Sequence, residues 1–361
     1  MKQFRDTYKG KRVLVTGHTG FKGSWLSLWL KQLGAEVVGI SLAPETQTNH
    51  WNLLSLESSV QNYELDIRQM AEVAKVFKAT QPQIVFHLAA QPLVRRSYRD
   101  PLETWSTNVM GTANVLEACR QTFSVRAILA VTTDKCYENQ EWTWGYRETD
   151  RLGGHDPYSA SKAGAELVAA SYRSAYFHTE GAPLLATARA GNVIGGGDWS
   201  EDRLMPDLVR AIAAKQSLEI RSPNATRPWQ HVLESLSGYL LLGQKLMEGD
   251  KNFDCAWNFG PERSGNRTVA DALKKLQTHW PEMQWHQTAA SQPHEANLLY
   301  LDSAKAHAQL GWQPVWNLDT TLEKTADWYR SFLDRQTTIS TQQLAQYVEA
   351  ARSAQVGWVS T

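Results

Sequence analysis

Three glycines at three-residue intervals, Gly17, Gly20 and Gly23, stand between a short apolar run and a helical pattern. The run is Arg12-Val-Leu-Val-Thr16, and the pattern over 22–33 puts Trp25, Leu26, Trp29, Leu30 and Leu33 on one stripe. A strand, a glycine turn and a helix at the start of a chain leave few options. Glycines in such a turn let the backbone bend tightly and approach a pyrophosphate, whose charge then sits at the helix N-terminus. The segment Thr16-Gly-His-Thr-Gly-Phe-Lys-Gly23 spaces them G-x-x-G-x-x-G, not G-x-G-x-x-G. Its candidate cofactor residues are Gly17, His18, Thr19, Gly20, Phe21, Lys22 and Gly23. His18 is bulky for such a loop, and either points to solvent or contacts the cofactor.

Gly34 ends the helix, and 36–40 reads as the next strand. Further strands are expected at 84–88, 127–132 and 184–189, with helices near 70–78, 103–120 and 158–175 between them. Continuously apolar strands alternating with helices predict a Rossmann-type, doubly wound parallel sheet, covered on both faces and joined by right-handed crossovers. After Arg189 the register changes. A glycine-rich loop over 190–198 leads to helices near 205–214 and 233–248, with short strands near 217–221 and 256–259. These describe a smaller, mixed α/β C-terminal lobe. The expected division is a dinucleotide-binding domain over 1–190 and a substrate lobe over 191–361, with segments free to cross. From Thr337 the chain is polar, with one helical stretch near 342–354.

The length of 361 residues suggests about two domains. Lys and Arg number 37 against 37 Asp and Glu, so no electrostatic footprint for nucleic acid exists. With 42% hydrophobic and 20% charged residues the chain is globular. Cys119, Cys136 and Cys255 are far apart and form no CxxC pair, so neither a disulfide framework nor a metal site is expected. No stretch approaches the roughly 18 apolar residues of a membrane span. The first residues run into a strand pattern without a signal-peptide core, and a cytoplasmic location is expected.

Tyr158-Ser-Ala-Ser-Lys162, with Thr133 upstream, supplies the second constellation. On a helix, positions four apart share a face. A lysine ammonium and a nicotinamide cation near a phenol favour the phenolate and lower its pKa. Such a tyrosine can remove a hydroxyl proton as hydride leaves carbon. Dinucleotide sites that read a ribose 2′-hydroxyl usually carry Asp or Glu about 20 residues past the glycines. Ser41 holds that place, and no Lys or Arg lies between Lys31 and Arg68 to hold a 2′-phosphate, so NAD is favoured over NADP. Asp66-Ile67, after the third strand, either contacts the adenine or caps a helix.

The chain resembles the extended short-chain dehydrogenase/reductase family that acts on nucleotide sugars, and within it the sugar 4,6-dehydratases. The resemblance spans roughly 11–330 and is carried by Thr16-Gly-His-Thr-Gly-Phe-Lys-Gly-Ser-Trp25, Ala90-Gln-Pro-Leu-Val-Arg-Arg96 and Thr132-Thr-Asp-Lys-Cys-Tyr137. Gly191-Asn-Val-Ile-Gly-Gly-Gly-Asp-Trp199, Arg227-Pro-Trp-Gln-His231 and Pro293-His-Glu-Ala296 extend it into the second lobe. Thr133-Asp134 stand where the dehydratases carry Thr-Asp-Glu, whereas the epimerases show Ser-Ala or Ser-Ser. Lys135 departs from the thymidine-nucleotide enzymes, which have Glu there.

The resemblance implies NAD as cofactor, CDP-glucose as substrate, a homodimer or higher homo-oligomer, and a place in deoxysugar synthesis of the lipopolysaccharide O-antigen type. It adds Leu88, Ala89, Ala90, Asn108 and Thr132 to the cofactor site, and Asn192, Arg203, Arg227, His231, His294 and Glu295 to the substrate site. A guanidinium suits a diphosphate because it binds through two hydrogen bonds. The implied reaction oxidises C4, which makes the C5 proton acidic, then eliminates the 6-hydroxyl and returns the hydride to C6. Tyr158 takes the 4-hydroxyl proton, Thr133 holds that oxygen, and Asp134 donates to the leaving hydroxyl. Lys135 is the C5 base, a charge that stabilises the enolate, or a solvated strand-end residue. Adjacent residues on a strand face opposite ways, so Asp134 and Lys135 both reach the sugar only if the strand ends there. Two rivals stand beside this reading: a nucleotide-sugar 4-epimerase using Tyr158 and Lys162, and a catalytically idle dinucleotide sensor.

Overall fold

Central strands with no polar alternation have to be covered on both faces, and that requirement organises the molecule. The computed structural model describes residues 2–288 and 298–360. Its main sheet has seven strands: β1 Arg12–Thr16, β2 Glu36–Ser41, β3 Gln61–Glu64, β4 Ile84–His87, β5 Ala127–Val131, β6 Leu184–Ala190 and β7 Ala256–Phe259. Their order across the sheet is β7-β6-β5-β4-β1-β2-β3, and every neighbouring pair is parallel. Strands β4, β5 and β6 are buried along their whole length. Between β1 and β4 the order reverses, and a doubly wound sheet opens its ligand crevice outside the carboxyl ends at such a point.

The expected division at residue 190 is crossed more than once. Strand β7 comes from later in the chain, and the helix Val232–Met247 packs on β5 and β6. The rest of the later chain builds small paired elements: Val193–Ile194 with Gln230–His231, Thr226–Pro228 with Asn266–Thr268, and Leu218–Ile220 with Trp285–Gln287. The pattern over 103–120 is not one regular helix. It runs Pro101–Trp105, then a π-helical turn Ser106–Met110, then Gly111–Arg120. Such turns are rare and often sit at functional sites.

The polar tail proves to be docked. Its helix Ser340–Ser353 buries Tyr347 and Leu344 and packs on the helix Phe21–Gln32. The last strand residues Val359–Ser360 pair with Lys2–Gln3, and Phe4 stacks on Trp358 with ring centroids 4.9 Å apart. Tail polarity lies on one face only, and the buried aromatic face decides the packing.

Glu234 fastens this arrangement from inside. It is 1% exposed, and its carboxylate accepts from the Val315 and Trp316 backbone nitrogens at 2.9 and 2.6 Å and from the Tyr347 hydroxyl at 2.8 Å. Burial pushes its carboxyl up to about 7 against the pull of those donors. Each oxygen faces a backbone N–H, so a glutamine amide would set its NH₂ against one of them. Glu234→Gln is expected to cost about 1–3 kcal/mol, read as a fall in the thermal unfolding midpoint; a midpoint at the wild-type value would contradict this account of the anchor.

Candidate active site

A cleft of about 830 Å³ opens where β1, β4 and β5 end. The glycine loop forms one wall. Gly17 has φ +74°, and a Cβ there would meet the Ala89 nitrogen at 2.7 Å; one at Gly23 would lie 2.0 Å from the Gly17 oxygen. At Gly20 the nearest protein atom is the Gly17 oxygen at 3.4 Å, so that glycine keeps the cleft side open. The helix Phe21–Gln32 starts there without a side-chain cap, leaving its first N–H groups to a ligand. The residues present therefore fit a dinucleotide pyrophosphate.

Thr19, Phe21, Lys22, Asp66, Ile67, Leu88, Ala89, Ala90 and Thr132 all line the cleft. Ser41, in place of the expected carboxylate, bonds Thr19 at 2.8 Å. Arg68 also reaches the cleft wall, but Asp66 engages it through two hydrogen bonds of 2.5 and 2.8 Å.

Three expected site residues lie elsewhere. His18 neither faces solvent nor lines the cleft: it is 0% exposed, edge-on to Trp51, with Nε2 2.9 Å from the Asn62 side-chain oxygen. Its ring occupies the space above Gly39, where a Cβ would come within 2.4 Å. Asn108 is buried in the π-helical turn and bridges the Gln91 backbone to Ser161, one residue before Lys162. It positions the site without lining it. His231 is buried against Trp25 and Trp316 and accepts from the Leu233 nitrogen as a helix cap. His294 and Glu295 lie outside the described residues.

At the carboxyl end of β5 the chain leaves the sheet at Val131 and turns through a short 3₁₀ segment, Asp134–Cys136. That turn brings Thr133, Asp134 and Lys135 to the cleft together, opposite Tyr158 and Lys162 of the helix Pro157–Ala175. Pro157 at its first turn and Asp156 as its cap fix where that helix begins. Thr133 donates to Asp134 at 3.0 Å and is hydrogen-bonded to Tyr158. Burial raises the Asp134 carboxyl from its ordinary value, although Lys135, Thr133, Arg227 and Lys22 pull it down. Such an acid can hold a proton to donate.

The phenol of Tyr158 moves opposite to the expectation. Burial raises it to about 12, with Thr133 and Arg203 pulling it down. Lys162 is driven down to about 8 by burial and points its ammonium at the Val131 carbonyl, 3.3 Å away.

Glu166 and Arg189 form a supporting layer that sequence reading missed. Their side chains are 4% and 3% exposed and meet at 2.9 Å in two parallel hydrogen bonds. Glu166 also accepts from Thr132 and Thr187 at 2.5 and 2.7 Å, and Arg189 reaches the Tyr137 hydroxyl at 2.7 Å. Two signals were available. Glu166 lies one helical turn past Lys162, and Arg189 is a lone charge in an otherwise apolar and small-residue strand.

On the far side, Asn192, Arg203 and Arg227 line the cleft. Arg227 is 5% exposed, and Arg203 stands 3.8 Å from Asp198. The Arg95, Arg96 and Arg99 cluster is engaged by carboxylates: Asp202, then Glu45 with Glu103, then Glu201.

The sequence model of the family described as GDP-mannose 4,6 dehydratase matches residues 14–325. A CDP-glucose 4,6-dehydratase of Salmonella typhimurium is 46% identical over 334 residues, covering 91% of this chain and 93% of that protein. A probable dTDP-glucose 4,6-dehydratase of Sinorhizobium fredii is 27% identical, covering 88% and 92%. Among solved structures, a Streptomyces venezuelae dTDP-glucose 4,6-dehydratase superposes with a TM-score of 0.76 at 23% identity, covering 89% and 97%. A Thermotoga maritima UDP-glucose 4-epimerase reaches 0.77 at 22%, covering 89% and 99%.

Removing one partner of a buried pair strands the other charge. Arg189→Met is expected to cost about 3–5 kcal/mol, seen as a much lower unfolding midpoint. A midpoint near the wild-type value would mean that Glu166 is satisfied without Arg189.

Proposed function

The chain belongs to the GDP-mannose 4,6 dehydratase family, and from that membership we propose that it dehydrates CDP-glucose to CDP-4-dehydro-6-deoxyglucose, a hydro-lyase reaction with NAD as a returning hydride carrier. Asp134 carries this reading within the family. A buried carboxyl with a raised pKa beside Tyr158 and Thr133 is what expulsion of a hydroxyl needs, and epimerisation has no use for it. The identity of 46% to a CDP-glucose 4,6-dehydratase supports the cytidine nucleotide.

The residues divide the work by position. Gly17, Gly20 and the first turn of Phe21–Gln32 would hold the cofactor's pyrophosphate, and Asp66 and Ile67, which line the same cleft after β3, would take its adenosine end. When bound, NAD supplies the acceptor for the C4 hydride and the donor that reduces C6. Tyr158 takes the proton of the 4-hydroxyl, with Thr133 bonded to the same oxygen. A phenol near 12 is a weak acid, so the charge that offsets its burial has to arrive with the oxidised cofactor. Once C4 is a ketone, Lys135 faces the C5 proton or the enolate oxygen, and protonated Asp134 gives its proton to the departing 6-hydroxyl. Asn192, Arg203 and Arg227 bind the nucleotide diphosphate in the later lobe.

We further propose a homodimer or higher homo-oligomer in the cytoplasm. Leu102, Trp105 and Met110 are 79%, 41% and 58% exposed on segments that pack beside the site helix, which itself leaves Leu167 61% exposed. No described helix is long and apolar enough to cross a membrane. The product is an activated 4-keto-6-deoxy sugar, a starting point for deoxysugars of the lipopolysaccharide O-antigen type.

The hydride is expected to stay within one sugar: substrate deuterated at C4 gives product deuterated at C6, with no net NADH. Loss of the label, or stoichiometric NADH, would sink the dehydratase reading. Tyr158→Phe removes the base for the 4-hydroxyl and is expected to lower turnover by about 10²–10⁴-fold with cofactor binding kept; activity within a few-fold of wild type would take Tyr158 out of the mechanism. Lys135→Met is expected to leave C4 oxidation intact and slow elimination, so that bound NADH accumulates. Elimination at the normal rate would return Lys135 to a solvated residue.

A further inference from the structure

A second cavity lies beside the turn that carries Lys135. It encloses about 400 Å³ between the segments 137–141 and 151–156 and the start of the helix Pro157–Ala175. Among the described residues only Val94 and Lys135 line both this cavity and the main cleft; Asp134, Tyr158 and Lys162 line the main cleft alone. Backbone pairing fixes the walls. The Glu138 nitrogen donates to the Arg151 oxygen and the Gly153 nitrogen to the Cys136 oxygen, both at 2.9 Å. Glu138 also pairs with the Arg151 side chain at 3.1 Å, and Asp156 accepts from the Ser159 nitrogen and hydroxyl at 2.9 and 2.6 Å. Tyr137, Leu152 and Leu299 supply the apolar side. At the rim Gln140, Arg151, Gly154 and His155 are exposed. The chamber therefore reaches the surface, is lined by polar groups and is far larger than one water, which are the conditions for holding water.

We propose that this chamber is the route by which Lys135 exchanges its proton with solvent while a nucleotide sugar fills the main cleft. It rests on the dehydratase reading above and makes Lys135 the C5 base within it. The neutral amine takes the C5 proton, and the C–H electron pair passes into the C4 carbonyl as the enolate. Asp134 then protonates the 6-hydroxyl, the C6–O bond breaks, and the enolate pair forms the C5–C6 double bond as water leaves. After C6 has received its hydride, the enolate formed again takes a proton at C5 from the Lys135 ammonium. Lys135 begins and ends the cycle neutral. A base sealed beneath the sugar would hand back the proton it took. A base with one side on a water-filled chamber loses that proton to exchange, and the hydrogen delivered to C5 then comes from solvent. Because an ammonium carries three hydrogens, even an unexchanged one returns the original at most about one time in three.

The test supplies CDP-glucose deuterated at C5 to the NAD-loaded protein in ordinary water. Product is acid-quenched at early times, before the free ketone exchanges by itself, and deuterium at C5 is read by NMR and mass spectrometry. The wild-type product is expected to carry almost none. Leu152→Trp sets an indole in the chamber, and retention is expected to rise toward about one-third. Leu152→Ala, which only widens the chamber, is expected to keep the wild-type value. Should Leu152→Trp fail to fold, Gln140→Trp narrows the exposed rim and is expected to raise retention in the same direction. Retention in the folded Trp variant equal to wild type would overturn the route, as would deuterium kept by the wild-type product. Retention well above about one-third would mean a base that carries a single proton, and would overturn the assignment to Lys135. A wild-type protein that gives no 6-deoxy product would instead overturn the dehydratase reading itself.

Discussion

Glu166 and Arg189, paired in two hydrogen bonds and shut off from solvent, join the elements that make the site. Glu166 rides on the helix that carries Tyr158 and Lys162, and Arg189 sits near the end of β6. Through Thr132 the carboxylate also grips the residue next to Thr133, and through Thr187 it grips β6 again. Helix, β5 and β6 are thereby held in one register. A buried pair of this kind adds little net stability compared with apolar packing, but its geometry is exacting. Its worth lies in fixing where a phenol and a carboxyl stand relative to each other.

That rigidity matters because charged groups are buried at the reacting end. Acidic and basic side chains both line the cleft, and Lys135, Arg227 and Lys22 act on Asp134 there. Burial outweighs them, so Tyr158 and Asp134 both hold their protons more tightly than free groups do. The direction suits a protonated acid at Asp134. For Tyr158, in the proposed role of base, it means that positive charge has to arrive beside the phenol before it gives up its proton, which would couple proton removal to cofactor occupancy.

Much of this was legible in the residues, and the failures have physical reasons. Apolar runs fixed β1, β5 and β6 because buried parallel strands cannot hide polar residues. The glycine spacing marked the tight strand-to-helix turn because no side chain fits at Gly17 or Gly23. The turn that lets Asp134 and Lys135 share the cleft was required by strand geometry before it was seen. His18 was misread because its space is made by Gly39 on a neighbouring strand, a pairing invisible to a local reading. Asn108 and His231 carry the right chemistry but their partners, Gln91 with Ser161 and Trp25 with Trp316, lie far off in sequence. The tail's polar composition gave no sign of where it packs, which its buried side chains, Tyr347 and Trp358 among them, decide.

Fold alone does not separate dehydration from epimerisation, since a dehydratase and an epimerase superpose on this chain equally well. In the proposed reading the acid at Asp134 separates them, and product chemistry reads its effect directly. Purified protein supplied with NAD is incubated in parallel with CDP-, dTDP-, UDP- and GDP-glucose, and the products are examined by NMR. The account predicts that CDP-glucose is consumed fastest and yields a 4-keto sugar with a methyl group at C6, visible also as a base-labile chromophore. A product that keeps its 6-hydroxyl and is inverted at C4 would contradict it.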